Sequence, residues 1–131
     1  MRLSDRIRAF LLDMDGTFYL SDHLLPGATE FLDCAAAAGM PVLFLSNNSS
    51  KNRAAYVHKL AGLGVEVTPE QVFTSGDATV QYLQTQAAPG SPVAVFGTPD
   101  LEQVFREAGF VLTLDDPAWV VLGFDMTIDY A

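Results

Sequence analysis

Apolar residues follow two alternating rhythms along this chain. Residues 7–12 (IRAFLL) form a short, nearly continuous apolar run, as expected of a strand covered on both faces. After a polar stretch, Ala28, Phe31, Leu32, Ala35 and Ala36 fall at helical spacing, with Pro26 expected at the first helical position and Gly39 as the stop. Residues 41–46 (PVLFLS) read as a second strand. Tyr56, Leu60 and Leu63 mark one face of a second helix, closed near Gly62 or Gly64. The stretch TPEQ at 68–71 has capping-box spacing with proline in first position, which predicts one short helical turn. Residues 72–75 (VFTS) predict a third strand and 78–87 a third helix, with Val80, Leu83 and Ala87 in register.

Strand and helix in alternation require parallel strands joined by crossovers, hence an α/β layered fold. The stretch APGSP at 88–92 is the one proline-and-glycine break and predicts a module boundary. Beyond it the alternation restarts with VAVFG as a strand. Thr98 then caps a helix with Pro99 first, Leu101, Val104, Phe105 and Ala108 inward, and Gly109 at its end. FVLTL and WVVLGF read as two further strands, and a last helix is expected to start at Thr127. Only the architecture repeats; no sequence repeat is present.

At 131 residues, half of them apolar, the chain fits one globular domain, or a domain and part of another. Sixteen acids against seven bases give a formal charge of −9. That balance disfavours nucleic acid and anionic membrane as partners, because both need a basic surface. A phosphorylated small molecule remains compatible if a cation or backbone amides screen the charge locally. Cys34 is the single cysteine, in an alanine-rich helical pattern with no basic neighbour, and reads as an inert thiol. The N-terminal residues carry no long apolar region and no apolar run approaches membrane-spanning length, so a cytoplasmic protein is expected.

Asp13 and Asp15 change the picture. They fall just past the C-terminal end of the first expected strand, the edge at which open parallel sheets bind ligands. Positions two apart project to the same side, so both carboxylates can reach one small object. Two like charges this close are unfavourable unless a cation lies between them or one keeps its proton. Mg²⁺, a hard cation that takes a few carboxylates plus phosphate oxygens, meets the first condition with Asp13 and Asp15 as ligands. One aspartate can then attack phosphorus while the other, protonated, delivers a proton to the leaving oxygen. Gly16 permits a tight turn that brings amides toward a phosphate, and Thr17 offers a hydroxyl. Read alone, DMDG is equally an ordinary polar turn. At the end of the second strand, however, Ser46 and Asn47 place a hydroxyl, an amide and backbone N–H groups ahead of a helix, which favours an anion. Acids on one strand end and donors on its neighbour suit phosphoryl transfer.

DMDGT at 13–17, SNN at 46–48 and LLPGA ahead of the first helix together resemble the haloacid dehalogenase superfamily. The spacing and VFTSGDAT at 72–79 are similar to its class IIA branch, the 4-nitrophenyl-phosphatase-like sugar and nucleotide phosphatases. The resemblance covers essentially the entire chain. It implies an α/β fold: a partial Rossmann-like three-layer core with a parallel sheet over 1–90, then the beginning of an α/β C2-type cap over 91–131. GTFYLSDH would be the turn and flap beside the site. The implied activity is Mg²⁺-dependent hydrolysis of a small phosphomonoester, such as a sugar phosphate or nucleotide, through an aspartyl-phosphate. By the same resemblance Asp13 is the nucleophile, and Asp15 is the acid/base with its backbone carbonyl on Mg²⁺. Ser46 holds the phosphate and Asn47 helps to position it.

Family members are longer, and after the cap they supply a phosphate-neutralising lysine and further metal-binding aspartates. The last lysine here, Lys59, reads as part of a solvated helix face, and Asp125 and Asp129 fall in the cap segment and are not assigned to the metal. The resemblance therefore implies an incomplete enzyme with little or no turnover. It also implies that FLLD becomes an exposed apolar sheet edge, which predicts self-association. Two alternatives stay open: a non-catalytic phosphate-binding short form, and a phosphoacceptor receiver domain. Receivers carry the acceptor aspartate on a later strand and an adjacent acidic pair early; here the pair alternates on the first strand and precedes Gly-Thr. His23 reads as a solvated loop residue and His58 as surface. Phe10, Phe31, Phe44 and Phe105 fall at core positions, Phe18 and Tyr19 could wall the site, and Trp119 is expected to pack the cap sheet.

Overall fold

The computed structural model describes residues 6–127. They divide into two compact units, one running to Ser46 and resuming over Tyr56–Phe73, the other formed by Asn47–Ala55 and the chain from Thr74 onward.

In the first unit, strand β1 (Phe10–Asp13) starts later than the apolar run suggests. Its first cross-strand contact is the Phe10 N–H on the Pro41 carbonyl at 2.9 Å, and residues 7–9 precede the ladder. A hairpin of two-residue strands follows, β2 (Tyr19–Leu20) and β3 (His23–Leu24), too short for any periodicity to announce. Helix α1 (Ala28–Ala37) begins after Gly27, whose left-handed φ of 85° makes it the N-cap and leaves Pro26 outside the helix. Ala28 and Ala35 are buried as the spacing predicts, whereas Ala36 is exposed. The helix closes as a Schellman motif. The Gly39 N–H returns to the Ala36 carbonyl and the Met40 N–H to that of Ala35, both at 2.9 Å. Strand β4 (Val42–Ser46) then pairs in parallel with β1, from Phe10↔Val42 to Asp13↔Leu45.

Helix α2 (Arg53–Gly62) presents Tyr56 and Leu60 to the core of this unit. The capping box at Thr68 forms as the sequence predicts, with the Thr68 N–H donating to Gln71 Oε1 at 3.0 Å over a 3-10 turn, Pro69–Gln71. Strand β5 (Val72–Thr74) completes the sheet in the order β1-β4-β5. Met14, Phe18, Tyr19, Phe44, Tyr56, Leu60 and Val72 are each 2% exposed or less and form the core. Edge-to-face pairs add orientation to that burial: Phe18 on Phe44 at 5.1 Å, and Phe10 on Phe31 at 5.0 Å.

In the second unit, α3 (Ser75–Gln86) starts three residues earlier than its apolar periodicity suggests. Thr74 is the reason. Its hydroxyl accepts from the Asp77 N–H, and the Asp77 carboxylate accepts from the Thr74 N–H at 2.8 Å, a reciprocal cap that converts Ser75 from strand to helix. Strand β6 (Pro92–Phe96) opens a separate sheet, followed by α4 (Pro99–Glu107), β7 (Val111–Leu112) and β8 (Trp119–Leu122). Both β7 and β8 run parallel to β6, in the order β7-β6-β8. Val80, Leu83, Val93, Val95, Leu101, Phe105 and Phe110 form its core, with Trp119 and Val121 packed against them. The helix expected from Thr127 would occupy residues 128–131, which, like Asp129, lie outside the described residues. Among the described residues no helix is long and apolar enough to cross a membrane.

Candidate active site

The last residue of β1 is Asp13, so the first carboxylate belongs to the ladder and does not follow it. Register then places the neighbours. Asp13 stands opposite Leu45, and Ser46 ends β4 one residue further on. Met14 is fully buried while Asp13 and Asp15 are both exposed, so the alternation at the strand end sends the sulfur inward and both carboxylates outward.

A tight turn fixes the pair. The Met14 carbonyl accepts from the N–H groups of Thr17, Phe18 and Tyr19 at 3.2, 2.9 and 3.2 Å. The Gly16 N–H donates to the Tyr19 carbonyl at 2.8 Å, and Asp15 bridges Tyr19. Gly16 sits at φ 78°, a left-handed conformation that strains a residue with a Cβ. Gly16 thus makes the tight turn expected of it, and the amides of Gly16 and Thr17 close it. Outward it offers the two carboxylates and the Thr17 hydroxyl, which donates to Asp13 Oδ2 at 2.9 Å. That bond occupies one oxygen of the Asp13 carboxylate and limits the rotamers open to it.

Beneath this turn lies a group of buried phenols. Ser46 and Tyr56 are 6% and 1% exposed, with their hydroxyl oxygens 2.7 Å apart. Burial pushes the Tyr56 phenol above its ordinary range, while the Ser46 hydrogen bond pulls the other way. Tyr19, expected as a wall of the site, is instead fully buried. Burial raises its pKa first, followed by the negative charge of Asp15, Tyr56 nearby, hydrogen bonding toward Asp15, and the charge of Asp13. Its hydroxyl has no partner in full hydrogen-bond geometry, and the Asp15 carboxylate is the acceptor it leans on, by charge and by an incomplete hydrogen bond. A buried hydroxyl left unsatisfied costs about 1–3 kcal/mol. Lys59, expected on a solvated face, is half-buried, with Nζ 4.3 Å above the centre of the Tyr19 ring. The shared i, i+3 face of Tyr56 and Lys59 on α2 was the available sequence signal; it reads as ordinary core spacing until the fold places Tyr19 against it.

Asn47 opens the second unit, exposed, with its carbonyl accepting from the Ser75 hydroxyl at 3.0 Å. In the same unit Arg53 pairs with Asp77 at 2.9 Å, and the Asn48 side chain accepts from the Ser50 N–H at 2.9 Å. His23, His58 and Cys34 are exposed, as their sequence context suggests. Among the described residues no three His, Cys, Asp or Glu side chains gather to hold a metal. The exposed Asp13 carboxylate nonetheless fits Mg²⁺, which prefers one or two carboxylates completed by water, carbonyl and phosphate oxygens over an all-protein cage. Chemically the turn offers a hydrogen-bonded carboxylate as nucleophile and a second carboxylate two residues on as proton carrier.

Known proteins are similar to this chain in sequence and fold. The haloacid dehalogenase-like hydrolase family model matches residues 10–111. An acid sugar phosphatase of Staphylococcus aureus is 36% identical over 124 residues, which is 94% of this chain and 48% of that protein. The solved 4-nitrophenylphosphatase of Thermotoga maritima is 42% identical with a TM-score of 0.93, over 99% of this chain and 49% of that one. A glycerol phosphate phosphatase of Mycobacterium tuberculosis, crystallised with magnesium, is 29% identical with a TM-score of 0.88, over 98% and 39% of the two chains. The chain spans about half the length of the curated relatives it matches.

Proposed function

The chain belongs to the haloacid dehalogenase-like hydrolases, and from that premise we propose that it carries the nucleophilic half of a phosphomonoester hydrolase site. The carrying observation is the β1 end: Asp13 and Asp15 face outward around a buried Met14, with the Thr17 hydroxyl on Asp13 and Ser46 ending the neighbouring strand. An Asp13 oxygen attacks phosphorus and forms the aspartyl-phosphate. Asp15 gives its proton to the departing oxygen, then takes one from the water that hydrolyses the acyl phosphate. The Thr17 hydroxyl keeps the Asp13 carboxylate turned for attack. Ser46 binds a phosphoryl oxygen, helped by its chain neighbour Asn47. The Asp13 carboxylate and the Asp15 backbone carbonyl would hold Mg²⁺, which would neutralise charge on the phosphoryl oxygens and leave the Asp15 carboxyl free to carry the proton.

The substrate is a small phosphorylated metabolite, a sugar phosphate or a nucleotide; the similarity to an acid sugar phosphatase and a glycerol phosphate phosphatase supports that class. Residues 1–90 form the partial core and 91–131 the beginning of a cap, in the cytoplasm. Turnover by these 131 residues is slow. The transition state needs a cation beside the phosphoryl group, whereas the described cations of the first unit are Lys59, which lies over the Tyr19 ring, and Arg6 and Arg8, which precede β1 at the strand end away from Asp13. The free edge of β1 pairs with a second copy of the chain. The test is Mg²⁺-dependent hydrolysis of 4-nitrophenyl phosphate by the chain and by Asp13→Asn. Weak release that Asp13→Asn abolishes is expected; release that survives the substitution overturns the assignment of Asp13.

A further inference from the structure

We propose that Tyr19 is a positioning residue whose hydroxyl receives and orients the Asp15 carboxylate once substrate engages the site; the proposal rests on the phosphatase reading. A fully buried phenol with no partner in full hydrogen-bond geometry has a bond still to close, and the group it already leans toward is the Asp15 carboxylate. Its backbone is pinned to the same turn as Asp15: the Tyr19 carbonyl accepts from the Gly16 N–H at 2.8 Å and its N–H donates to Met14 at 3.2 Å. The ring therefore cannot drift away from the carboxylate. Tyr56, the other hydroxyl nearby, is bonded to Ser46, so the strongest acceptor within reach is the Asp15 carboxylate.

Asp15 is exposed, and an exposed side chain samples several rotamers. Proton transfer needs one of them. With one carboxylate oxygen on the Tyr19 hydroxyl, the other is aimed at the leaving oxygen, and the proton passes along that line. Lys59 assists from over the ring. Its ammonium, 4.3 Å from the ring centre, anchors the ring and draws electron density from it, which strengthens the phenol as a donor.

The test compares the full 131-residue chain with Tyr19→Phe, which keeps the ring under Lys59 and removes only the hydroxyl oxygen. Phosphorylation of Asp13 is measured in single turnover, with Mg²⁺ present, from 4-nitrophenyl phosphate and from phenyl phosphate. The first leaving group departs with little protonation; the second requires an acid. Tyr19→Phe is expected to slow phosphorylation by phenyl phosphate about tenfold, a fraction of what general acid catalysis supplies, and to leave the 4-nitrophenyl reaction within about twofold. The ligand-free variant is expected to melt no lower than the parent, since an unsatisfied hydroxyl has been removed. Equal loss on both substrates, no loss on either, or a lower melting temperature overturns the positioning role and leaves the phosphatase reading standing. If the parent chain phosphorylates Asp13 from neither substrate, the phosphatase reading fails and the positioning role falls with it.

Discussion

At the scale of single residues, burial decides more here than identity does. Asp13 and Asp15 were visible because carboxylates at a strand end need a reason, and alternation around Met14 explains how both reach solvent. Tyr19, Tyr56 and Lys59 were not visible as a group. Aromatics and lysines are too common for sequence to distinguish a phenol beneath a site from ordinary packing. The two tyrosines have a measurable consequence. Both phenols are held above the ordinary tyrosine value of about 10 in the folded chain, chiefly by burial. Above that value the unfolded chain releases protons that the folded chain retains. Stability is therefore fully present below it and falls as pH rises through the folded-state values. Absorbance of tyrosinate, followed with circular dichroism, should show Tyr19 and Tyr56 ionising together with unfolding, and Tyr56→Phe should make the alkaline loss of stability shallower. Their ionisation in an intact fold would contradict the burial assigned to them.

At the scale of elements, the long periodic segments were legible and their ends were not. Every helix with an apolar stripe was found, but α3 begins where Thr74 and Asp77 cap each other, a polar signal that periodicity overlooks. Gly27 displaces Pro26 from α1 through its left-handed φ. The β2–β3 hairpin has two residues per strand, below any pattern length. Strand β1 carries the sharpest prediction at this scale. Among the described residues it ends the order β1-β4-β5, hydrogen-bonded on one side, with Leu11 68% exposed. Neither proline nor lysine guards its four residues. Light scattering across a concentration series is expected to show self-association, which Leu11→Lys reduces by placing a charge on the edge. A monomer at all concentrations, unchanged by Leu11→Lys, would contradict pairing through β1.

At the scale of the whole molecule, the chain carries the turn of the proposed site on one small core, with a second unit that has a sheet and core of its own. Its charge of −9 opposes the approach of a phosphate ester. The account therefore places the burden of recognition on a local cation and donors at the β1 and β4 ends, and makes the covalent step on Asp13 its central claim. The most direct measurement uses Asp15→Asn, which keeps the nucleophile but lacks the base that activates hydrolytic water. This variant is mixed with Mg²⁺ and 4-nitrophenyl phosphate, quenched in acid, and read by mass spectrometry with the modified residue mapped. The account predicts one added phosphoryl group, located on Asp13 and absent when Mg²⁺ is withheld. An unmodified chain, or a phosphoryl group on any other residue, would contradict it.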